Sequence, residues 1–505
     1  MNQFHKFPFD RAIGSILGLA CGDALGARFE FQPPSYAPSP IDMEAGGPFD
    51  WRKGQWTDDT EMAIVIMLNL ARSGDLRSTA NLDSLARDFA GWARRATDIG
   101  AQTSTVLGHV NPETGTAQDA IDAARAYLEH SPDACGNGAL MRTAPIALFY
   151  LDDEPTMIEV ARLVSTLTHA HIDSQDACAI WCVAIAQAIR KRSLDIRYAI
   201  DKSVPEDRRA LWHTRIDEAE AAGEVYNIAS NGWAVAALQA AWIAVRNADT
   251  LEEAIEWGTR CGGDTDTVAA ITGALAGAYW GASAIPARWR RFLNGWPYVS
   301  AFDLVYHPGM RRDGALTSMF DDGGTESAMR SQDLRALAHR TVSKGMQVGS
   351  QGWPFAPSMG GETRRRTALL YDTDVIIGAE GDLDTLDDID VVVSLSRVGY
   401  EHVRDREHIE FWLIDSHHPE DNPNLEFVLR DAAKTIADLR AEGKRVFLHC
   451  VAAHNRTPTV AALYAALYCG VDADEAIFTV DSLLGGHGGN EFLRQTVRDI
   501  AKAGR

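Results

Sequence analysis

The chain has 505 residues, 46% of them hydrophobic and 23% charged, which excludes the disordered class and leaves room for about two to four domains. Its formal net charge of −22 argues against nucleic-acid or membrane-surface binding, both of which want basic patches. The same field repels an anionic substrate, so a phosphate site has to be built locally from backbone N–H groups, helix N-termini or a bound cation.

In chain order, Lys6 and Arg11 precede the apolar run IGSILGLAC, which resembles a secretory signal ending at Cys21. That run is only about eight residues long, at the lower limit for a signal. It also leads straight into GDALGARFE, a segment with its own chemistry. Seven cysteines, an odd number without repeating spacing, do not make a disulfide framework and fit a reducing cytoplasm. No stretch approaches the ~20 uncharged apolar residues of a membrane span. Apolar positions recur at three- to four-residue spacing over 60–72, 117–130, 156–170, 174–192, 231–246, 251–260 and 266–281, which predicts an all-α domain. In TVAAITGALAGAYWGA, small residues share one face and admit a close neighbouring helix.

Residues 306–365 are polar and rich in Gly, Pro and Ser, and read as a linker with one short helix near 332–343. Beyond 366, VIIGA, DVVVSLS, HIEFWLI and KRVFLHC read as strands. LEFVLRDAAKTIADLRAEG, PTVAALYAALYCG and EFLRQTVRDIAKAG read as helices between and after them. This alternation predicts a small α/β domain with a mainly parallel sheet. The predicted organisation is therefore multidomain: an all-α domain over 1–305, a linker over 306–365 and an α/β domain over 366–505.

Two acidic clusters stand at predicted helix starts: Thr57, Asp58 and Asp59 in GQWTDDT, and Asp264, Asp266 and Thr267 in CGGDTDT. Either alone is explained by capping of orphan N–H groups and opposition to the helix dipole. Together they are less easily explained, because clustered carboxylates repel without a cation. Four carboxylates and two hydroxyls are hard oxygen donors, suited to Mg2+, Mn2+ or Ca2+ rather than zinc.

GDALGARFE, WTDDT, DIG, GNGALMR, LTHAH and GGDTDT, in this order over residues 11–281, resemble the ADP-ribosylglycohydrolase family, and most nearly its dinitrogenase-reductase-activating type. The resemblance implies an all-helical fold and a binuclear Mg2+ (or Mn2+) site held by Thr57, Asp58, Asp59, Asp264, Asp266 and Thr267. It also implies hydrolysis of the ribosyl bond of ADP-ribosylated proteins or of small ADP-ribosyl compounds. Glu30 is the matched general acid or base, with Asp98 second, while Asp23 supports the fold or the ligands. Gly136, Asn137, Gly138 and Met141 would contact substrate. His169, which alone would read as a packed or surface histidine beside His171, becomes a ribose or phosphate contact. Asp98 reads as a helix cap from its position. In guanidinium-directed relatives the matching acid approaches the leaving group, which favours arginine-linked over serine-linked ADP-ribose.

A second constellation lies in KRVFLHCVAAHNRTPTVAALYAAL, which reads strand, loop, helix. Cys450 and Arg456 flank five residues, and Thr457 follows. Backbone N–H groups and a helix N-terminus at such a loop favour a thiolate, and with the Arg456 fork they bind a phosphate dianion. Cys450 would then attack phosphorus. The plain alternative is a buried structural cysteine. Residues 366–505 resemble the dual-specificity, cysteine-based protein phosphatase family, which places the general acid at Asp415, or else at Asp421. That family usually has Gly where this chain has Ala453. A non-Gly residue in a left-handed conformation costs on the order of 1–2 kcal/mol.

The leading expectation is thus a cytoplasmic two-domain hydrolase that removes ADP-ribose and binds or hydrolyses a phosphate ester. In one rival reading the second domain is a non-catalytic phosphate reader. In another the first domain is inactive and structural, though a structural protein has no use for a costly carboxylate cluster.

Overall fold

The first helix, α1 (Phe9–Gly26), carries glycine at positions 14, 18, 22 and 26, one per turn along one face. In the computed structural model this face lies against α13 (Thr265–Trp280) with almost no space between the backbones. A Cβ at Gly14 would sit 2.3 Å from Gly277 O, at Gly18 2.2 Å from Gly273 O, at Gly22 2.0 Å from Ala269 O, and at Gly26 2.4 Å from Asp266 Cα. The partner numbers fall as those of α1 rise, so the helices are antiparallel. The end of α1 is thereby delivered to the start of α13. The small-residue face expected in TVAAITGALAGAYWGA is the α13 side of this contact.

The structure describes residues 9–34, 40–296, 329–330, five positions between 337 and 344, 366–396, 403, 406–486 and 489–503. These divide into two compact units. The first runs to Ile285 and resumes from Phe292; the second comprises Pro286–Arg291 and the residues from 366 onward.

The first unit is helical. Around α1 and α13 stand α2 (Asp58–Ser73), α3 (Thr79–Ala93), α4 (Ala101–Leu107), α5 (Ala117–His130), α6 (Ala144–Phe149) and α7 (Glu154–Thr166). They are followed by α8 (Ile172–Lys191), α9 (Ile196–Ser203), α10 (Glu206–Ala222), α11 (Ala234–Asn247) and α12 (Leu251–Thr259). The seven periodic windows correspond to α2, α5, α7, α8, α11, α12 and α13. α10 carries too thin a stripe to be singled out, since it buries only Trp212, Ile216 and Ala219. By length and hydropathy, Phe9–Phe29 would pass as a membrane span, although it lacks the uncharged run expected of one. Here 89% of its most apolar window is buried, as befits a central helix. A two-residue strand β1 (Asn294–Gly295) pairs antiparallel with β2 (Met329–Arg330). Most of the expected linker lies outside the described residues; within it, 337, 338, 341, 342 and 344 are helical, in the region of the predicted short helix.

The second unit opens with a short helix, α14 (Ala287–Arg290), whose first N–H donates to Asp431 Oδ2 (2.8 Å). Its sheet is formed by β3 (Thr367–Leu369), β4 (Asp372–Ala379), β5 (Val391–Ser394), β6 (Glu407–Glu410) and β7 (Val446–Cys450), in the order β3-β4-β7-β5-β6. Only β3 is antiparallel. β7 sits in the centre and is buried at every residue, as a strand covered on both faces must be. Its histidine, His449, is accommodated by a 2.7 Å hydrogen bond between Nε2 and Ser394 Oγ. Helices α15 (Leu425–Ala441), α16 (Arg456–Tyr468), α17 (Ala473–Leu483) and α18 (Glu491–Ala503) complete the unit. α17 and β3 were not anticipated. HIEFWLI is strand only to Glu410, because beyond it the backbone finds other partners: Asn422 accepts from Ile414 N–H (2.8 Å) and donates to Ile414 O (2.9 Å).

Candidate active site

Thr57 is the N-cap of α2 in extended conformation, yet its own side chain caps nothing. The acid that satisfies this helix start is Asp23, reaching across from α1. Asp23 Oδ1 accepts from Thr57 N (2.9 Å) and Oγ1 (2.8 Å), and Oδ2 from Thr60 N (3.0 Å) and Oγ1 (2.5 Å). Burial pushes Asp23 up to about 6 while these four bonds pull it down. With Asp23 acting as the cap, Asp58 and Asp59 are left for other chemistry.

The start of α13 is prepared by Gly262 and Gly263, both at positive φ (77° and 68°). A Cβ at Gly263 would fall 2.7 Å from Asn231 Oδ1, which accepts from Asp264 N–H (3.2 Å). Asn137 Nδ2 donates to Asp264 Oδ2 (2.8 Å) and to Asn231 O (3.0 Å). Two backbone bonds, Phe31 N to Gly263 O (2.7 Å) and Gly263 N to Gln32 O (2.8 Å), tie the segment after Glu30 to the same turn. Asn231 lies in a stretch without any motif, so nothing in the sequence marks it.

Carboxylate oxygens of Glu30, Asp98 and Asp266 converge within 4.8 Å of one another. Asp58, Asp59 and Asp266 are held well above the carboxylate range by burial first and then by neighbouring acids. The same causes raise Glu30 to about 8, and burial with Asp264 raises Asp98 to about 6. The largest charged influences on Glu30, Asp59 and Asp266 are carboxylates, and the buried Arg142 guanidinium acts on Asp58. Glu30 Oε2 and Asp59 Oδ1 are buried with no hydrogen-bond partner. Unpartnered buried oxygens in an all-acidic cluster fit a hard divalent cation.

A pH dependence follows. Acids whose folded pKa is raised stabilise the fold fully below their unfolded pKa and lose that contribution as pH climbs through the folded value. For Glu30 the window runs from about 4.5 to about 8. In chelator the melting temperature of the helical unit should fall across this window more steeply than with saturating Mg2+, since a bound cation favours the ionised acids. Identical pH profiles with and without Mg2+ would contradict this.

The CGNGALMR segment forms a 3-10 turn (Asn137–Ala139) ahead of α6. Gly136 and Gly138 face His169, since a Cβ at either would come within 3.1 Å of its ring. His169 lies three residues past the end of α7, buried, with Nδ1 2.8 Å from Thr168 Oγ1. Met141 is buried, and its N–H serves the turn through Asn137 O. Thr267 is buried, with its N–H on Asp266 Oδ1 (2.9 Å).

In the second unit Cys450 ends β7, and α16 begins at Arg456. Ala453 has φ +53°, the left-handed conformation that a glycine would take at no steric cost. Arg456 Nη1 donates to Leu395 O (2.8 Å) and Leu413 O (3.3 Å), and its Nε has no partner. Asp415 is exposed and accepts from Asn455 (2.9 Å) and Asn490 (2.9 Å). Asp421 instead accepts from Ser416 Oγ (2.5 Å).

The first unit is thus a helical domain in which buried carboxylates gather beside a glycine loop, a residue group that could hold a metal ion. The chain is a member of the ADP-ribosylglycohydrolase family, whose model matches residues 5–312. It is 30% identical over 288 residues to the ADP-ribosylarginine hydrolase Tri1 of Serratia proteamaculans, covering 55% of this chain and 74% of the relative. It is 31% identical over 295 residues to the ADP-ribosyl-[dinitrogen reductase] glycohydrolase of Rhodospirillum rubrum, covering 56% and 90%. A solved structure of Tk-PTP in its active form aligns over 28% of this chain and 97% of its own, with 20% identity and a TM-score of 0.24.

Proposed function

We propose that the helical unit hydrolyses the bond between C1″ of ADP-ribose and an arginine side chain of a modified protein, using Mg2+ held by Thr57, Asp58, Asp59, Asp264, Asp266 and Thr267. The observation that carries this reading is the mutual repulsion of buried carboxylates from the two helix starts, Asp59 and Asp266 foremost, with Glu30 and Asp98 converging on Asp266. Bound divalent ions, Mn2+ as well as Mg2+, would supply electrostatic stabilisation and lower the pKa of a water. The chain's own residues do the rest. Cleavage gives the ribose oxocarbenium character and requires a proton at the leaving nitrogen. Glu30 Oε2, buried and unpartnered, is the atom suited to hold or take that proton. Gly136, Asn137, Gly138, Met141 and His169 frame the diphosphate and ribose. Asp98 faces the guanidinium.

ADP-ribosyl-arginine should therefore be cleaved in preference to ADP-ribosyl-serine. Asp98→Asn should lose roughly ten- to a hundredfold of activity on the arginine substrate, the size of a charge-assisted hydrogen bond. Release of ADP-ribose from the two substrates measures both; a serine preference would remove Asp98 from the leaving group, and the cap read for it in the sequence is not made, since Gly100 is the N-cap of α4 and no side chain caps it.

A second reading, for the second unit, is favoured by Arg456: two carbonyls hold one end of its guanidinium while its Nε is buried without a partner. We infer a phosphate site in the loop from Cys450 to Arg456. If it is catalytic, Cys450 Sγ bonds to phosphorus as the ester P–O bond breaks, Asp415 protonates the leaving oxygen, and water then releases phosphate. If it is a reader, binding alone remains. Vanadate or phosphate should slow alkylation of Cys450 in either case, and Arg456→Met should abolish that protection. Equal alkylation rates with and without oxyanion would remove the site. Ala453→Gly, by relieving about 1 kcal/mol of left-handed strain, tests whether the loop limits turnover.

A further inference from the structure

Arg142, which closes CGNGALMR, is fully buried and makes no contact ion pair among the described residues, although the charge of Asp58 acts on it from farther off. Its Nη2 donates to Thr168 Oγ1 (2.6 Å), its Nη1 lies 3.1 Å from Met62 Sδ, and its Cζ stands 4.6 Å from the centroid of Phe89; Nε has no partner. An unpaired buried guanidinium is costly, and an apolar side chain of similar volume would pack at least as well. Packing therefore does not explain it.

What Arg142 does is fix the direction of a relay. Arginine can only donate, so Thr168 Oγ1 accepts from it. The hydroxyl keeps one proton, and His169 Nδ1 lies 2.8 Å away. Satisfying all three groups makes Thr168 the donor and Nδ1 the acceptor, which leaves the ring proton on Nε2. Nε2 faces the glycine loop: a Cβ on Gly136 would sit 3.1 Å from it, and one on Gly138 3.1 Å from Cε1. Gln102 Nε2 anchors the same stretch through Thr168 O (3.0 Å). Burial, and then the charge of Arg142, push the imidazole down to about 3, so the ring stays uncharged.

We propose that Arg142 is a positioning residue which, through Thr168, fixes His169 as its Nε2–H tautomer, so that the Gly136–Gly138 loop presents a constant hydrogen-bond donor to a phosphate or ribose oxygen of the ADP-ribosyl group. This rests on the reading of His169 as a substrate contact. The test uses the full chain with 15N-labelled histidine, the His169 signals being those lost in His169→Gln. Between about pH 5 and 8, where an ordinary histidine changes charge, wild-type His169 should show an unprotonated Nδ1 and a protonated Nε2. Arg142→Met and the near-isosteric Thr168→Val should each lose that single tautomer. Each should also raise KM for ADP-ribosyl-arginine roughly tenfold or more, with a smaller change in kcat. Thr168→Ser, which keeps the hydroxyl, should restore both. A protonated Nδ1 in the wild type, or an unchanged tautomer in whichever variants fold, overturns the relay. An unchanged KM in His169→Gln, with the tautomer as predicted, overturns instead the substrate contact on which the inference rests.

Discussion

Asp266→Asn is expected to reduce ADP-ribose release by at least about a thousandfold, because loss of a cation ligand removes several kcal/mol of transition-state stabilisation, about 1.4 kcal/mol per factor of ten. The fold should survive. Asp266 is buried at the start of α13, and its charged neighbours Asp264, Asp59, Glu30 and Asp23 all oppose its ionisation. A neutral isostere relieves that opposition, so in chelator the variant should melt no lower than the wild type. What it should lose is the rise in melting temperature on adding Mg2+. Activity within tenfold of wild type, or a Mg2+ response of unchanged size, would mean that Asp266 is only a helix-start acid. Asp59→Asn should behave alike, its Oδ1 being one of the two orphaned oxygens.

Gly22→Val should have the largest effect on stability. The added Cβ would lie 2.0 Å from Ala269 O and 2.4 Å from Ala269 C, both backbone atoms that cannot swing aside. Overpacking of this kind costs typically 1–3 kcal/mol where side chains can yield, and roughly 3 kcal/mol or more where they cannot. At about 2–4 °C per kcal/mol, the helical unit should melt roughly 6–12 °C lower. Activity should fall with it, since the next residue, Asp23, holds the start of α2. Gly74→Ala is the control. Gly74, unlike helical Gly22, has positive φ (88°), but nothing lies within 4 Å of its missing Cβ, so only backbone strain of about 1 kcal/mol is at stake. Equal losses in the two variants would mean that the α1–α13 contact is not close-packed as described.

The two acidic helix starts were legible in the sequence because caps, apolar periodicity and carboxylate clustering are local signals. So was the strand–loop–helix around Cys450, together with the awkwardness of Ala453, whose φ is indeed left-handed. What local patterns cannot show is a partner brought in by packing. Asp23 caps α2 from 34 residues away, and Asn231 shapes the approach to Asp264 from a stretch without any motif. Arg142 stood in view inside GNGALMR, but its meaning depends on Thr168, which only the fold places beside it. The glycine ladder of α1 is written in IGSILGLACGDALG, yet its apolar core resembles a secretory signal more than a helix–helix seat. The spacing of four is what marks it as the seat of another helix. HIEFWLI read too long for the corresponding reason: the alternation continues to Ile414, but Asn422 takes the backbone groups that a ladder would need.

If the carboxylates of α2 and α13 hold divalent cations for ribosyl-bond hydrolysis, cation occupancy and turnover must rise together. Equilibrium dialysis of the full chain against Mn2+, with ADP-ribosyl-arginine hydrolysis followed in the same samples, tests it most directly. Two bound ions per chain are expected, with hydrolysis that rises with occupancy and vanishes in excess chelator, and both should be lost in Asp266→Asn. Full hydrolysis in chelator, or cation binding that Asp266→Asn leaves untouched, would contradict it.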